Sequence, residues 1–135
     1  MTQPPLRQEI PVRSFDQLQL DKRLYQMMDH IKADLSKNWK IEELATQCGM
    51  TRRHLGRLCK AQTGFTPVGL IKLLKLEQAR EDLIHSLKSI KMIEAELGYE
   101  PDNSHFRHEF KAEYGSSPKE WRKLYWEMSS QKKEH

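Results

Sequence analysis

Apolar residues recur every three or four positions along most of this chain of 135 residues, a spacing that favours amphipathic helices. The first run has apolar side chains at Leu20, Leu24, Met27, Met28, Ile31 and Leu35. Charged residues fill the positions between them, so we predict one amphipathic helix. It should pack over the first of the two lobes that the rest of the pattern predicts. Residues 1–17 hold three of the six prolines and show no such period, which indicates a flexible N-terminal arm.

Glycines divide the next part of the chain into separate helices. A short helix that opens at Ile41 is expected to end at Gly49, because glycine readily adopts the left-handed conformation found at helix C-termini. A second helix, with Thr51 as its capping residue, ends at Gly64. The stretch that follows predicts one long helix over residues 67–87.

The same order of elements returns in the second half of the chain. The interval of eight residues from Ile41 to Gly49 recurs between Ile90 and Gly98. The tetrapeptide GFTP, which closes the first set of helices, is answered by GSSP after the second. This repetition predicts two lobes of similar architecture.

Two further helices complete the second lobe. An aromatic stripe at helical spacing marks the first of them, at Phe106, Phe110 and Tyr114. Gly115 is expected to end it. The last helix begins with Ser117 and Glu120, which form a capping-box pattern, and we expect residues 129–135 to be a frayed C-terminal tail.

A short helix, a glycine-containing turn and a second helix together form the helix-turn-helix pattern. The chain is therefore predicted to be all-α, with about seven helices in two helix-turn-helix subdomains. The first subdomain spans residues 18–66 and the second spans residues 88–128. The long helix at residues 67–87 links them.

Three stretches carry a resemblance to a known family: IEELATQCGMTRRHLGRLCKAQTGFTP, LLKLEQAREDLIHS and SIKMIEAELGYEPDNSHFRHEFKAEYGSSPKEWRKL. Over about residues 20–126 the chain resembles the DNA-binding domain of the AraC/XylS family of bacterial transcription regulators. The resemblance implies a rigid linker helix between two recognition helices, which enter successive major grooves on one face of double-stranded promoter DNA. It also implies that the chain binds DNA as a monomer.

Charge is divided unequally between the two lobes. Residues 36–66 carry six cations and two carboxylates, a net charge of +4. Residues 88–117 carry four cations and six carboxylates, a net charge of −2. Because neutralisation of phosphates supplies much of the affinity for DNA, we predict that the first lobe anchors the complex and the second adds modest, sequence-tuning contacts.

Placed at about 100° per residue, the first recognition helix turns Leu55, Leu58 and Cys59 toward the core. Its outward side carries Arg53, Gly56, Arg57 and Lys60, and Arg52 and His54 lie on its flanks. Arg53 and Arg57 are the best candidates for reading bases, since a guanidinium group matches the O6 and N7 acceptors of guanine.

The other three DNA-binding candidates of this helix, Arg52, Gly56 and Lys60, have distinct expected roles. Gly56 would allow the helix to approach the groove closely. Arg52 and Lys60 are expected to contact phosphate. The family resemblance places Arg53, Gly56 and Arg57 at base-reading positions.

The second recognition helix turns a less basic face outward. The candidates there are Ser104, His105, Arg107, His108 and Lys111. The turn before the helix is one residue longer than the usual family turn, and Asp102 or Asn103 is expected to cap the helix. Alignment from Phe106 assigns Ser104, Arg107 and His108 to base-facing positions.

Other chemistry finds little support in the sequence. A metal held by His105 and His108 lacks a third ligand at suitable spacing, and no phosphate-binding glycine loop, nucleophile elbow or paired carboxylates occur. We therefore expect no enzyme activity, no cofactor and no metal. Cys48 and Cys59 fall at buried helical positions and are interpreted as reduced packing thiols.

The sequence also indicates where the chain works. No apolar run approaches the length of about 18 residues that a membrane span requires, and the N-terminus lacks the apolar core of a signal peptide. We expect a cytoplasmic, nucleoid-associated protein without membrane contact.

The leading hypothesis is a sequence-specific transcription regulator, an activator that contacts DNA and RNA polymerase. Many members of the family carry a separate sensing domain, for which this chain has no room, so it is either a standalone regulator or a DNA-binding fragment. The alternative function is a helical adaptor or anti-activator that keeps the fold and binds a protein through its acidic second lobe.

Overall fold

The computed structural model describes residues 19–101 and 104–133, with side chains described as far as residue 130. Within these ranges the chain forms seven α-helices and no strand, which confirms the predicted all-α fold. The helices are α1 (Lys22–Ala33), α2 (Ile41–Gln47), α3 (Arg52–Thr63), α4 (Pro67–His85), α5 (Ile90–Glu96), α6 (His105–Tyr114) and α7 (Pro118–Lys133). The predicted N-terminal arm, residues 1–17, lies outside the described residues.

The chain divides into two compact units between Lys75 and Leu76. This division falls inside α4, so the long helix contributes its first half to one unit and its second half to the other. The long helix therefore contributes buried residues to both units, among them Leu70 in its first half and Leu83 in its second half.

The core of the first unit is built from the apolar faces of α1, α2, α3 and the start of α4. Among its fully buried members are Leu24, Ile31, Leu44, Leu55 and Leu70. Both cysteines are free and buried, as predicted, and burial raises the pKa of each thiol. Burial of this much apolar surface is the main stabilising term of so small a unit.

The first helix-turn-helix is fixed by its backbone hydrogen bonds and by glycine. Gly49 has a φ of 69°, and the Met50 N–H donates to the carbonyl of Ala45 at 2.9 Å, which reverses the chain after α2. The Thr51 hydroxyl accepts a hydrogen bond from the His54 N–H at 3.1 Å and so caps α3. The predicted cap at Thr51 is confirmed, and α3 begins where the recognition helix was expected.

Aromatic side chains form the core of the second unit. The ring centroids of Phe110 and Tyr114 lie 4.7 Å apart, and the ring of Trp121 meets that of Phe110 edge-on at 6.1 Å. Phe106 and Phe110 are fully buried, and Tyr114 is 4% exposed. The stripe predicted from the sequence is therefore the buried side of α6.

The last helix, α7, is longer than predicted. Its capping box forms as expected, because the Glu120 N–H donates to the Ser117 hydroxyl at 3.2 Å and the Ser117 N–H donates to the Glu120 carboxylate at 3.3 Å. The helix then continues to Lys133, so the tail predicted from residue 129 is helical through residue 133. No glycine or proline follows Pro118, so no strong helix breaker ends it sooner.

Side chains of α7 satisfy the backbone at the end of α4. The Arg122 guanidinium donates to the carbonyls of Leu83 at 3.0 Å, Ser86 at 3.3 Å and Asp82 at 3.4 Å, and the Trp126 indole donates to the carbonyl of Ile84 at 3.2 Å. The last carbonyls of a helix have no intrahelical partner, so these bonds stabilise the C-terminus of α4. Among the described residues, no helix is long and apolar enough to cross a membrane.

Candidate nucleic-acid interface

Helix α3 has one apolar face and one basic face. Leu55 and Cys59 are fully buried, and Leu58 is half-buried. Arg53 and Arg57 are exposed. The division into inward and outward faces agrees with the helical period of the sequence, while contact of the outward face with DNA remains a prediction.

The four cations of the outward face differ in what they contact. The Arg52 guanidinium lies 2.7 Å from the Glu42 carboxylate, and the Lys60 ammonium donates to the Gly64 carbonyl at 3.1 Å. Within the part of the chain that the structure describes, the side chains of Arg53 and Arg57 form no hydrogen bond or ion pair. These two guanidinium groups can therefore engage a ligand without first leaving a described partner.

Gly56 lies between these two arginines and is not required by the packing of the protein. A Cβ atom built at this position meets no heavy atom within 4 Å. Glycine inside a helix costs about 0.5–1 kcal/mol relative to alanine. Packing within the described protein does not explain this cost, and close approach of α3 to DNA stays a prediction.

Both carboxylates of α2 are paired with cations. Glu42 contacts Arg52 as described above, and the Lys37 ammonium lies 3.2 Å from the Glu43 carboxylate. Lys37 also lies over the ring of Trp39, with its ammonium 4.4 Å from the ring centroid. Neither carboxylate of α2 is therefore paired with Arg53 or Arg57.

The outward face of α6 carries the second set of predicted residues. All five are exposed, at positions Ser104, His105, Arg107, His108 and Lys111. Ser104 precedes α6 and makes no side-chain capping bond, while Asp102 and Asn103, the predicted caps, lie outside the described residues. The Ser104 hydroxyl lies 3.5 Å from Nδ1 of His108.

His105 is also held by the protein itself. Its Nε2 atom lies 2.9 Å from the carboxylate of Glu109, whose side chain is 19% exposed. The Tyr99 hydroxyl donates to the same carboxylate at 2.6 Å, and burial together with this carboxylate raises the pKa of Tyr99 above its ordinary value. Glu109 thus ties the turn before α6 to the start of that helix, and a contact of His105 with DNA would compete with Glu109.

Comparison with known proteins shows which family this pair of helix-turn-helix units belongs to. A family model described as a helix-turn-helix domain matches residues 44–124. The HTH-type transcriptional activator RhaS of Yersinia pestis (strain Pestoides F) is 36% identical over 100 residues, which are 74% of this chain and 36% of RhaS. The AraC-type DNA-binding domain protein of Chromobacterium violaceum superposes with a TM-score of 0.69 and 27% identity, over 74% of this chain and 88% of that one. This chain belongs to the AraC/XylS family.

A second solved structure with a fold similar to this AraC/XylS domain contains bound DNA. The DNA-binding domain of AdpA, described as a global transcriptional factor and solved with a target DNA, has a TM-score of 0.70 and 25% identity. The match covers 78% of this chain and 94% of the AdpA chain. The chain spans about a third of the length of the RhaS relatives it matches.

Sequence reasoning missed the acidic partners within this AraC/XylS domain. Glu42 lies ten residues before Arg52 and on a different helix, so the spacing within one helix could not predict their contact. The turn of the helix-turn-helix brings the two side chains together. The pairing of Glu109 with His105 could have been predicted from the sequence, since residues four positions apart lie on the same face of a helix. No group of three or more metal-ligating side chains occurs among the described residues.

Proposed function

We propose that this chain regulates transcription by binding one promoter site of defined sequence in double-stranded DNA and by contacting RNA polymerase there as an activator. The observation that carries the proposal is the outward face of α3, where Arg53 and Arg57 have no described partner beside a glycine that packing does not require. The name of its relative RhaS, a transcriptional activator, supports the direction of regulation. The chain then acts at the nucleoid in the cytoplasm.

The residues of α3 divide into two roles in this proposal. Arg53 and Arg57 read guanine edges in the major groove, which Gly56 allows the helix to approach. Arg52 and Lys60, each already bound to another group of the protein, contact phosphates. Loss of a base-reading arginine therefore relaxes sequence preference, whereas loss of a phosphate contact weakens all sequences alike.

The residues of α6 add a weaker second set of contacts. In this proposal Ser104, Arg107 and His108 face bases. Lys111, the basic residue in the last turn of α6, adds a further outward cation to this surface. His105 contributes only as far as Glu109 releases it. With a net charge of −2 over residues 88–117, this lobe tunes the site that the first lobe anchors.

The protein works in this proposal by binding alone. It acts as a monomer whose two recognition helices occupy adjacent major grooves, and it needs no cofactor or catalytic step. The transcription-regulator family that the chain belongs to supports DNA binding as its mode of action.

A second candidate function is a helical adaptor or anti-activator that binds a protein through the acidic second lobe. The net charge of −2 over residues 88–117 favours it, because such a surface repels phosphate. This candidate predicts protein binding that resists high salt and no preference among DNA duplexes.

The two candidates are separated by equilibrium binding of the purified chain to a duplex enriched from a randomised library. We expect tighter binding to this duplex than to a scrambled one of equal composition, with affinity that falls steeply between about 50 and 200 mM salt as phosphate contacts are screened. Equal affinity for the two duplexes would contradict a sequence-specific regulator and favour the adaptor.

A further inference from the structure

One cation of the proposed DNA-binding face is already neutralised by the protein. The Nη1 atom of Arg52, the first residue of α3, lies 2.7 Å from Oε2 of Glu42 in α2. Both side chains are exposed, at 68% and 66%. This pair is therefore open to solvent.

An exposed ion pair of this kind is weak and readily exchanged. If Arg52 turns to a phosphate, it either leaves Glu42 or brings the Glu42 carboxylate close to that phosphate. In both cases the carboxylate opposes the contact, first by competing for the guanidinium group and then by repelling the like charge of the phosphate.

We propose that Glu42 is an affinity-setting residue, which weakens binding to every duplex by competing with phosphate for Arg52. The inference rests on the proposed function, since it assigns Arg52 a phosphate contact. Phosphate contacts carry no sequence information directly, so Glu42 lowers the affinity for all duplexes by a similar factor and leaves base preference unchanged.

The neighbouring residue supplies a matched control. Glu43 lies on the same helix and loses the same charge when replaced by glutamine, but its carboxylate is paired with Lys37 at 3.2 Å and not with a residue of α3. Glu42→Gln and Glu43→Gln therefore change the net charge equally, and only the first releases Arg52.

The experiment measures the affinity of four variants for the library-selected duplex and for a scrambled duplex. The variants are Glu42→Gln, Glu43→Gln, Arg52→Gln and the double variant Glu42→Gln with Arg52→Gln. We expect Glu42→Gln to bind both duplexes about two- to five-fold more tightly than Glu43→Gln does, the size expected for exchange of an exposed pair. The slope of log affinity against log salt should steepen by up to about 0.9, the value for one fully additional neutralised phosphate, because Glu42 holds Arg52 for part of the time in the wild type.

The double variant tests whether the effect passes through Arg52. In the Arg52→Gln background, Glu42→Gln should change affinity no more than Glu43→Gln does. Equal effects of the two single glutamate variants, or a gain that persists without Arg52, would overturn the inference while the wild-type chain still binds its duplex. A wild-type chain that binds no duplex would overturn the proposed function itself.

Discussion

Replacement of Arg57 by alanine should separate the reading role of α3 from its role in the fold. The side chain is exposed and makes no hydrogen bond or ion pair among the described residues, while the opposite face of the helix, with Leu55 and Cys59, stays intact. Alanine is also a better helix former than arginine. The stability of the free protein should therefore change by less than about 0.5 kcal/mol.

Replacement of Arg57 should instead lower the affinity for DNA. A bidentate contact of arginine with guanine is worth about 1–3 kcal/mol, which corresponds to about a 5- to 150-fold loss of affinity for the selected duplex. Arg107→Ala, in the lobe with a net charge of −2, should cost less than about five-fold because the surrounding carboxylates already oppose phosphate binding.

Fluorescence anisotropy with a labelled duplex measures both losses, and thermal melting followed by circular dichroism shows that each variant is folded. Arg57→Lys is the matched variant, since it keeps the charge and loses the planar fork. It should retain the salt dependence of the wild type and lose most of its preference for the selected duplex. Equal losses for Arg57→Ala and Arg107→Ala, or the reverse order, would refute the unequal roles of the two lobes.

Three further predictions follow from other contacts. Gly56→Ala should raise the free energy of unfolding by about 0.5–1 kcal/mol in urea titrations, yet weaken DNA binding, because the added methyl group meets nothing until DNA approaches. Arg122→Ala removes the guanidinium from the end of α4 and should cost about 1–3 kcal/mol in the same titration. Hydrogen bonds from Arg23 lower the pKa of Asp21 to about 2. The ionised carboxylate therefore stabilises the fold above about pH 4, and this stabilisation is lost as the pH falls toward 2. Asp21→Asn should flatten the pH dependence of the melting temperature in that window.

The helices and their faces were predictable because each depends on neighbours within one or two turns. The period of Leu55 and Cys59 predicted the buried side of α3, and Gly64, with a φ of 82°, ended the helix as its residue type indicated. The same local logic assigned the aromatic side of α6, where Phe106 and Phe110 are fully buried.

Contacts between helices were not predictable in this way. The bonds from Arg122 to the end of α4 join residues 36 to 40 positions apart, and only the packing of α7 brings them together. The pairing of Arg52 with Glu42 likewise depends on how α2 and α3 meet at their turn. The sequence predicted which cations lie outward on α3, while the structure was needed to separate those with a described partner from Arg53 and Arg57.

The central claim, that both lobes read DNA and the first dominates, is tested most directly by sequencing duplexes that the purified chain selects from a randomised library. We predict an asymmetric motif with two blocks about 10 to 10.5 base pairs apart, one strongly and one weakly specified. Selection with Arg57→Ala should degrade the strong block and leave the weak one in place. A motif with two equally specified blocks, a single block, or no enrichment would contradict the claim.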